Sequence, residues 1–222
     1  MNDAAARTLL FDLDGTLTDP FEGITRSIQY AIEKLGRIAP AAEALGWCIG
    51  PPLQVAFREL LATEDEKRVA EAVSFYRERY SDVGKFENVL IKGIPEALAL
   101  LAAQGYRMAV ATSKLQSYAE EIVVHFGLSD YFDTVYGSEA DGRLSDKSDL
   151  IGFILKIRHI EAGRTCMIGD RKHDIIGARN NGVGAIGVLW GYGDEAELSE
   201  AGADQLVPEP GALAAAVAKT CP

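Results

Sequence analysis

The sequence predicts an α/β fold: a doubly wound parallel sheet of Rossmann-like topology, with a small all-helical segment inserted after the first strand. Two observations predict this arrangement. From residue 94 onward, short apolar runs alternate with helical stretches, and such alternation is typical of a parallel sheet covered by helices on both faces. Between residues 20 and 88, by contrast, apolar residues recur at helical spacing and no strand pattern stands out.

The N-terminal part of the chain predicts one strand followed by helices. Residues 8–13 form a short apolar run, which favours a buried strand. Residues 14–20 predict a loop, and residues 41–82 continue to favour helix. Glycine at position 36 marks the end of the first helix. The helices expected in this part span residues 24–35, 53–61 and 65–80.

The C-terminal part alternates between the two kinds of element. The strands expected there span residues 106–111, 134–136, 165–168, 185–189 and 205–207. The helices expected there span residues 94–103, 117–126, 149–160, 174–181 and 211–219. We therefore expect a core domain formed by residues 1–18 and 89–222, with residues 19–88 as a helical insert.

Composition narrows the classes of function. The chain has 222 residues, of which 48% are hydrophobic, and this is enough for a large buried core. Its formal net charge is -11, so it offers no broad basic surface for nucleic acid or anionic lipid. The same charge repels anionic substrates at long range, and any phosphate site has to be built locally. We expect no nucleic-acid partner and no membrane partner.

The cysteines and the N-terminus indicate the compartment. Cys48, Cys166 and Cys221 are odd in number and widely spaced, which argues against a disulfide framework and fits a reducing environment. No signal-peptide pattern and no apolar run of about 18 residues is present. We expect a cytoplasmic protein.

Polar residues follow several of the predicted strands. In a doubly wound sheet, ligands bind beyond the carboxyl ends of the strands. Several carboxylates, hydroxyls and ammonium groups in these positions suit a hard cation together with a phosphate, and Mg²⁺ prefers such oxygen ligands. The residues concerned are Asp12, Asp14, Thr112, Ser113, Lys114, Lys147, Asp170 and Asp174.

Four short motifs resemble those of the haloacid dehalogenase superfamily. They are DLDGT at 12–16, ATS at 111–113, Lys147, and GDRKHD at 169–174. The helical insert between the first two is similar to the cap of the phosphoglycolate-phosphatase-like branch. The resemblance extends over about residues 8–207, and it implies a phosphatase with a Rossmann-like core.

The resemblance also implies a role for each motif residue. Asp12 is the expected nucleophile, and Asp14 is the expected general acid and base. Mg²⁺ is expected on Asp12, on the backbone carbonyl of Asp14 and on Asp170, with Asp174 bound directly or through water. The groups expected to bind the phosphate are Thr112, Ser113 and Lys147.

The helical cap is expected to select the substrate, because it would cover the site and exclude water. Candidate specificity residues are Glu22, Arg26, Pro51 and Lys85. A small phosphorylated metabolite is expected, and phosphoglycolate, a sugar phosphate and a nucleoside monophosphate all stay open. The sequence does not predict an oligomeric state.

Other functions within and outside the superfamily stay open to different degrees. Asp14 argues against a haloacid dehalogenase, which does not need a second acid. A phosphomutase is expected to carry a cap histidine near the first motif, and residues 18–92 contain none. A phosphonatase would need a Schiff-base lysine in the cap, for which Lys34, Lys67 and Lys85 are available. A non-catalytic phospho-acceptor domain is a further alternative, but such domains lack a large helical insert.

Overall fold

The structure is a computed structural model that describes residues 7–221. Its strands are β1 (Thr8–Phe11), β2 (Thr18–Asp19), β3 (Val89–Leu90), β4 (Arg107–Leu115), β5 (Thr134–Ser138), β6 (Thr165–Gly169), β7 (Gly184–Val188) and β8 (Gln205–Val207). Its α-helices are α1 (Phe21–Lys34), α2 (Leu53–Leu61), α3 (Glu66–Tyr80), α4 (Ile94–Ala103), α5 (Gln116–His125), α6 (Lys147–Arg158), α7 (Lys172–Asn180), α8 (Glu195–Glu200) and α9 (Leu213–Thr220).

The main sheet has six strands in the order β5-β4-β1-β6-β7-β8, and every neighbouring pair is parallel. The expected doubly wound α/β fold is therefore confirmed. The chain first adds β4 and β5 on one side of β1, and then adds β6, β7 and β8 on the other. This reversal places the switch point, where such sheets bind ligands, at the carboxyl end of β1.

Both faces of the sheet are buried. Leu9 and Phe11 belong to a cluster with residues of α4, α5 and α9, whereas Leu10 belongs to a second cluster with residues of α6 and α7. Because successive side chains of a strand point to opposite faces, a strand covered on both sides has to be apolar throughout. This explains the unbroken apolar run of β1.

Residues Asp19–Val89 form a second compact unit. Its interior is aromatic: Tyr76 and Tyr80 stack with their ring centroids 5.1 Å apart, and Phe57 meets Tyr76 edge to face at 6.2 Å. A short 3₁₀ helix at Ala42–Cys48 and another at Gly84–Phe86 complete the unit.

An ion-pair network closes this unit. Arg79 donates two hydrogen bonds to the Glu87 carboxylate, at 2.7 and 2.8 Å, and Arg26 donates a third at 3.1 Å. The backbone N–H of Gly23 donates to the Glu87 carbonyl. A Cβ at Gly23 would lie 1.9 Å from the carbonyl oxygen of Gly84, so only glycine permits this close approach of α1 to the returning chain.

Some element boundaries differ from the expectation. The predicted loop at 14–20 contains the short strand β2, and the predicted helical run at 41–82 is interrupted by turns and a 3₁₀ helix. Helix α6 begins at Lys147 because the Asp146 side chain accepts from the N–H of Ser148 at 2.8 Å. Helix α8 was not expected, since only Leu198 of its six residues is buried and it shows no apolar stripe.

Two further boundaries bear on the site. Strand β4 continues past Ala111 to Leu115, although its last residues are mostly polar. Helix α7 begins at Lys172, not at Asp174, because Asp174 is its third residue and accepts the backbone N–H of Arg171 at 3.1 Å. Within residues 7–221, no helix combines the length and hydropathy that a membrane span requires.

Candidate active site

The two aspartates of the first motif lie where β1 ends and the chain turns. The N–H of Asp12 donates to the Ile168 carbonyl at 2.9 Å, so Asp12 still follows the path of the sheet. The chain then reverses at Gly15, whose φ is +82°. A Cβ there would lie 2.2 Å from Asp170 Oδ2. Glycine therefore allows both the turn and the close approach of Asp170.

The end of β4 supplies Thr112, Ser113 and Lys114. Ala111 pairs with Tyr136 and Leu115 pairs with Ser138, so β4 has two more residues than β5 between these pairs. The Thr112 hydroxyl accepts from the N–H of Lys114 at 3.3 Å. Lys114 Nζ lies 2.9 Å from Asp14 Oδ2, and both side chains are buried. The sequence pattern predicts that Lys114 lies at this edge of the sheet but indicates no role for it.

Lys147 lies at the centre of the cluster. Its Nζ lies 2.8 Å from Asp12 Oδ1 and 2.5 Å from Asp174 Oδ1. It also donates to the carbonyl oxygen of Ala111 at 2.8 Å. The approach to Asp12 is an ion pair without hydrogen-bond direction, and within the described residues Asp12 Oδ1 receives no hydrogen bond. Lys147 thus connects the end of β1, strand β4 and helix α7.

Asp170 is held by groups from two loops. Its carboxylate accepts from the Thr16 hydroxyl at 3.3 Å and from the N–H of Tyr192 at 2.8 Å. Carboxylate oxygens of Asp12, Asp170 and Asp174 all lie within 4.8 Å of one another, and the three residues are buried. Three of the expected metal ligands, the carboxylates of Asp12, Asp170 and Asp174, therefore converge.

A glycine-rich turn at 190–193 packs against Asp170. The Trp190 indole donates to the Thr16 carbonyl at 3.1 Å, and the N–H of Gly193 donates to the Asp170 carbonyl at 3.1 Å. A Cβ at Gly191 would lie 2.3 Å from Asp170 Cβ. An aromatic turn such as this one predicts a structural role. Its position after a strand of the sheet was the only signal that it touches the site.

The charges of the cluster do not balance. Four buried carboxylates, those of Asp12, Asp14, Asp170 and Asp174, face the two ammonium groups of Lys114 and Lys147, which leaves a formal charge of −2 when all are ionised. A buried charge of this size requires bound protons or a cation. A divalent cation removes it, and the oxygen donors present are those that Mg²⁺ prefers.

The excess of negative charge also shifts the pKa values of the groups in the cluster. Burial raises the pKa of Asp170 well above its ordinary value, and the carboxylates of Asp12 and Asp174 raise it further. Burial also raises the pKa of Asp174, to about 6, although Lys147 opposes the change. For Lys147, burial acts to lower the pKa, but the two neighbouring carboxylates outweigh it and the pKa is raised.

The expected substrate-specificity residues lie in the helical unit. Arg26 pairs with Glu22 at 2.7 Å and with Glu87 at 3.1 Å, although its side chain is half exposed. Lys85 is buried, with its Nζ 5.1 Å from the centre of the Phe86 ring. Pro51 is half-buried in the turn before α2. Their role in substrate selection stays a prediction.

Known proteins with similar sequences point to the same family as the motifs of this site. The sequence model of the haloacid dehalogenase-like hydrolase family matches residues 9–188. A 5'-nucleotidase of Pseudomonas aeruginosa is 48% identical over 200 residues, which cover 89% of this chain and 90% of that protein. The tyrosine-protein kinase PtkA of Mycobacterium tuberculosis is 37% identical over 185 residues, which cover 83% of this chain and 62% of the kinase.

A solved structure and a further sequence relative show the same similarity. A predicted phosphatase from Clostridium acetobutylicum has a TM-score of 0.93 at 38% identity, covering 96% of this chain and 99% of that one. A phosphoglycolate phosphatase of Vibrio parahaemolyticus is 25% identical over 211 residues, 92% of each protein. The chain therefore belongs to the haloacid dehalogenase-like hydrolase family and is a phosphatase of that family.

Proposed function

We propose that the protein is a Mg²⁺-dependent phosphatase that hydrolyses a small phosphorylated metabolite through a phosphoryl group carried on Asp12. The observation that carries the proposal is the convergence of four buried carboxylates and two buried ammonium groups at the ends of β1, β4 and β6. Mg²⁺ would be held by Asp12, Asp170 and Asp174, and when bound it would offset the charge of the phosphate.

In the first step, an oxygen of Asp12 attacks phosphorus and the bond to the leaving oxygen breaks. Lys147, 2.8 Å from Asp12, attracts the phosphate and offsets its charge. Thr112 is buried in the last part of β4 and accepts from the N–H of Lys114, and its hydroxyl can donate to a phosphate oxygen. Asp14 gives its proton to the leaving alkoxide.

In the second step, water attacks the phosphoryl group on Asp12. The Asp14 carboxylate accepts a proton from this water, the bond between Asp12 and phosphorus breaks, and inorganic phosphate leaves. Asp14 is then protonated again and Asp12 is free, so both residues have returned to their starting states. The balance requires no other co-reactant.

A nucleoside monophosphate is the substrate class that we favour. The support is the 48% identity to a 5'-nucleotidase over nine-tenths of both chains, compared with 25% to a phosphoglycolate phosphatase. The activity of the kinase relative is not carried over, because the match covers only 62% of that protein. We also infer that the helical unit selects the leaving group, and that the protein acts in a reducing cytoplasm, which suits its three free cysteines.

The proposal is tested by phosphate release from a panel of phosphorylated metabolites, with and without Mg²⁺. Asp12→Asn should lower turnover by about 10³-fold or more while leaving the fold intact. Asp130→Asn, which removes an exposed carboxylate, is the matched control and should keep full activity. Full activity in Asp12→Asn, or turnover of a halocarboxylic acid without phosphatase activity, would contradict the proposal.

A further inference from the structure

Lys114 reaches the site through a bulge in β4. Between the Ala111–Tyr136 and Leu115–Ser138 pairs, three residues of β4 face one residue of β5, namely Gly137. A bulge of this kind bends the strand and redirects its side chains. A Cβ at Gly137 would lie 2.6 Å from the Lys114 carbonyl oxygen. The glycine in β5 thus makes room for the bulge.

The contact between Lys114 and Asp14 is close and shielded from water. The Lys114 ammonium lies 2.9 Å from Asp14 Oδ2, and the two side chains are 6% and 10% exposed. The other oxygen, Asp14 Oδ1, is also buried but receives no hydrogen bond from any residue in the range 7–221. The two oxygens of this carboxyl group therefore have different surroundings.

We propose that Lys114 is a positioning residue that fixes Asp14 by its Oδ2 and leaves Oδ1 as the atom that gives the proton to the leaving oxygen. This inference rests on the proposed role of Asp14 as general acid. The Lys114 ammonium group can donate to Oδ2 both when Asp14 is ionised and when Oδ1 carries the proton, and this short contact holds the carboxyl plane in one orientation. General acid catalysis needs that orientation, because the proton has to lie within hydrogen-bond reach of the leaving oxygen.

Kinetic constants distinguish this positioning role from simple attraction of the phosphate by Lys114. If Lys114 only attracted the phosphate, its loss would raise KM and lower kcat/KM equally for all phosphate esters. If it positions the acid, the loss depends on the leaving group. For an ester whose leaving group departs readily without a proton, kcat/KM should fall little. For an ester with a poor alkoxide leaving group, kcat/KM should fall much more.

The test compares kcat/KM for p-nitrophenyl phosphate, phenyl phosphate and an alkyl phosphate, because kcat/KM reports the phosphoryl-transfer step. For Lys114→Met we expect a loss of about 10²-fold with the alkyl phosphate and of at most about 3-fold with p-nitrophenyl phosphate. Lys114→Arg should restore part of the lost activity, since it can still donate to Oδ2. Lys156→Met, which removes an exposed lysine, should leave all three values unchanged.

Asp14→Asn in the same assay distinguishes two failures: a failure of the proposed role of Lys114, and a failure of the general-acid role of Asp14 on which it rests. A loss that depends on the leaving group in Asp14→Asn, together with a uniform loss or no loss in Lys114→Met, would overturn the role of Lys114 alone. A loss in Asp14→Asn that is equal for all three esters would overturn both the acid role of Asp14 and this inference. The same dependence on the leaving group in both variants supports the inference.

Discussion

At the scale of single residues, Lys147 carries the largest electrostatic role. Its ammonium group is fully buried between Asp12 and Asp174 and touches the carbonyl oxygen of Ala111. Without it, two carboxylates would lie near each other in a medium that screens poorly. The residue therefore has a structural task as well as the catalytic one that we propose.

Replacing Lys147 by methionine should lower the free energy of unfolding of the metal-free protein by about 3–5 kcal/mol, because it leaves buried carboxylates without their counter-charge. Urea unfolding near neutral pH measures the change. Lys156→Met, on the exposed side of the same helix, should change stability by less than about 0.5 kcal/mol. Equal stability of the two variants would mean that Lys147 does not neutralise the cluster.

Which residues meet at the site could be predicted largely from the sequence, because the carboxyl ends of neighbouring parallel strands lie at one edge of a sheet. Asp12 and Asp170, which follow the neighbouring strands β1 and β6, converge for this reason. The partnership of Lys114 with Asp14 could not be predicted, since it depends on a bulge that no local pattern announces. The same holds for the N–H of Tyr192, because backbone donors carry no signal in the sequence.

At the scale of elements, helix and strand cores were easier to predict than their ends. Helices α2 and α4 begin and end at the residues expected, since clear apolar spacing defines them. The predicted start of α7 is wrong because Asp174 lies inside the helix and accepts the N–H of Arg171, the residue before the helix, and arginine is not a usual residue at that position. Helix α8 is too short for periodicity to reveal it.

Among the contacts between elements, we expect the hydrogen bonds of Glu87 with Arg79 and Arg26 to depend on pH. The bonds from Arg79, and then from Arg26, hold the pKa of Glu87 below the ordinary value, against the effect of burial. A carboxylate with a lowered pKa stabilises the folded state above its ordinary pKa, and this contribution is lost as the pH falls through the folded-state value. The network that closes Asp19–Val89 should therefore weaken in acid.

Replacing Glu87 by glutamine should lower the free energy of unfolding by about 1.5–3 kcal/mol near neutral pH, because it weakens three charge-assisted hydrogen bonds. The difference between the parent protein and Glu87→Gln should shrink as the pH falls below the ordinary pKa of glutamate. Urea unfolding at several pH values measures it, with the exposed Glu59→Gln as control. A difference that stays constant with pH would contradict the assignment.

At the scale of the whole molecule, the fold collects negative charge at one edge of a sheet in a chain that is already acidic. Burial and mutual repulsion raise the pKa values of Asp170 and Asp174. A carboxyl group with a raised pKa binds its proton more tightly in the folded state, so stability without metal falls as the pH rises. A bound divalent cation would reverse that loss.

Mg²⁺ should therefore raise the melting temperature, and the increase should be larger near pH 8 than near pH 5. At a concentration of about 100 times its Kd, the ion would raise the free energy of unfolding by about 2.7 kcal/mol. Thermal unfolding in Mg²⁺ and in a chelator measures this. Asp170→Asn should reduce the increase, whereas Asp130→Asn should not. An increase that is the same at both pH values would contradict a link between metal and carboxylate protonation.

One measurement tests most directly whether the phosphoryl group passes through Asp12. The enzyme is mixed with substrate and Mg²⁺, quenched, reduced with borohydride and digested for mass spectrometry. An aspartyl phosphate at position 12 is reduced to homoserine, so we expect homoserine at that position only when substrate and Mg²⁺ are both present. Phosphate release with aspartate unmodified at position 12, or homoserine at another position, would contradict it.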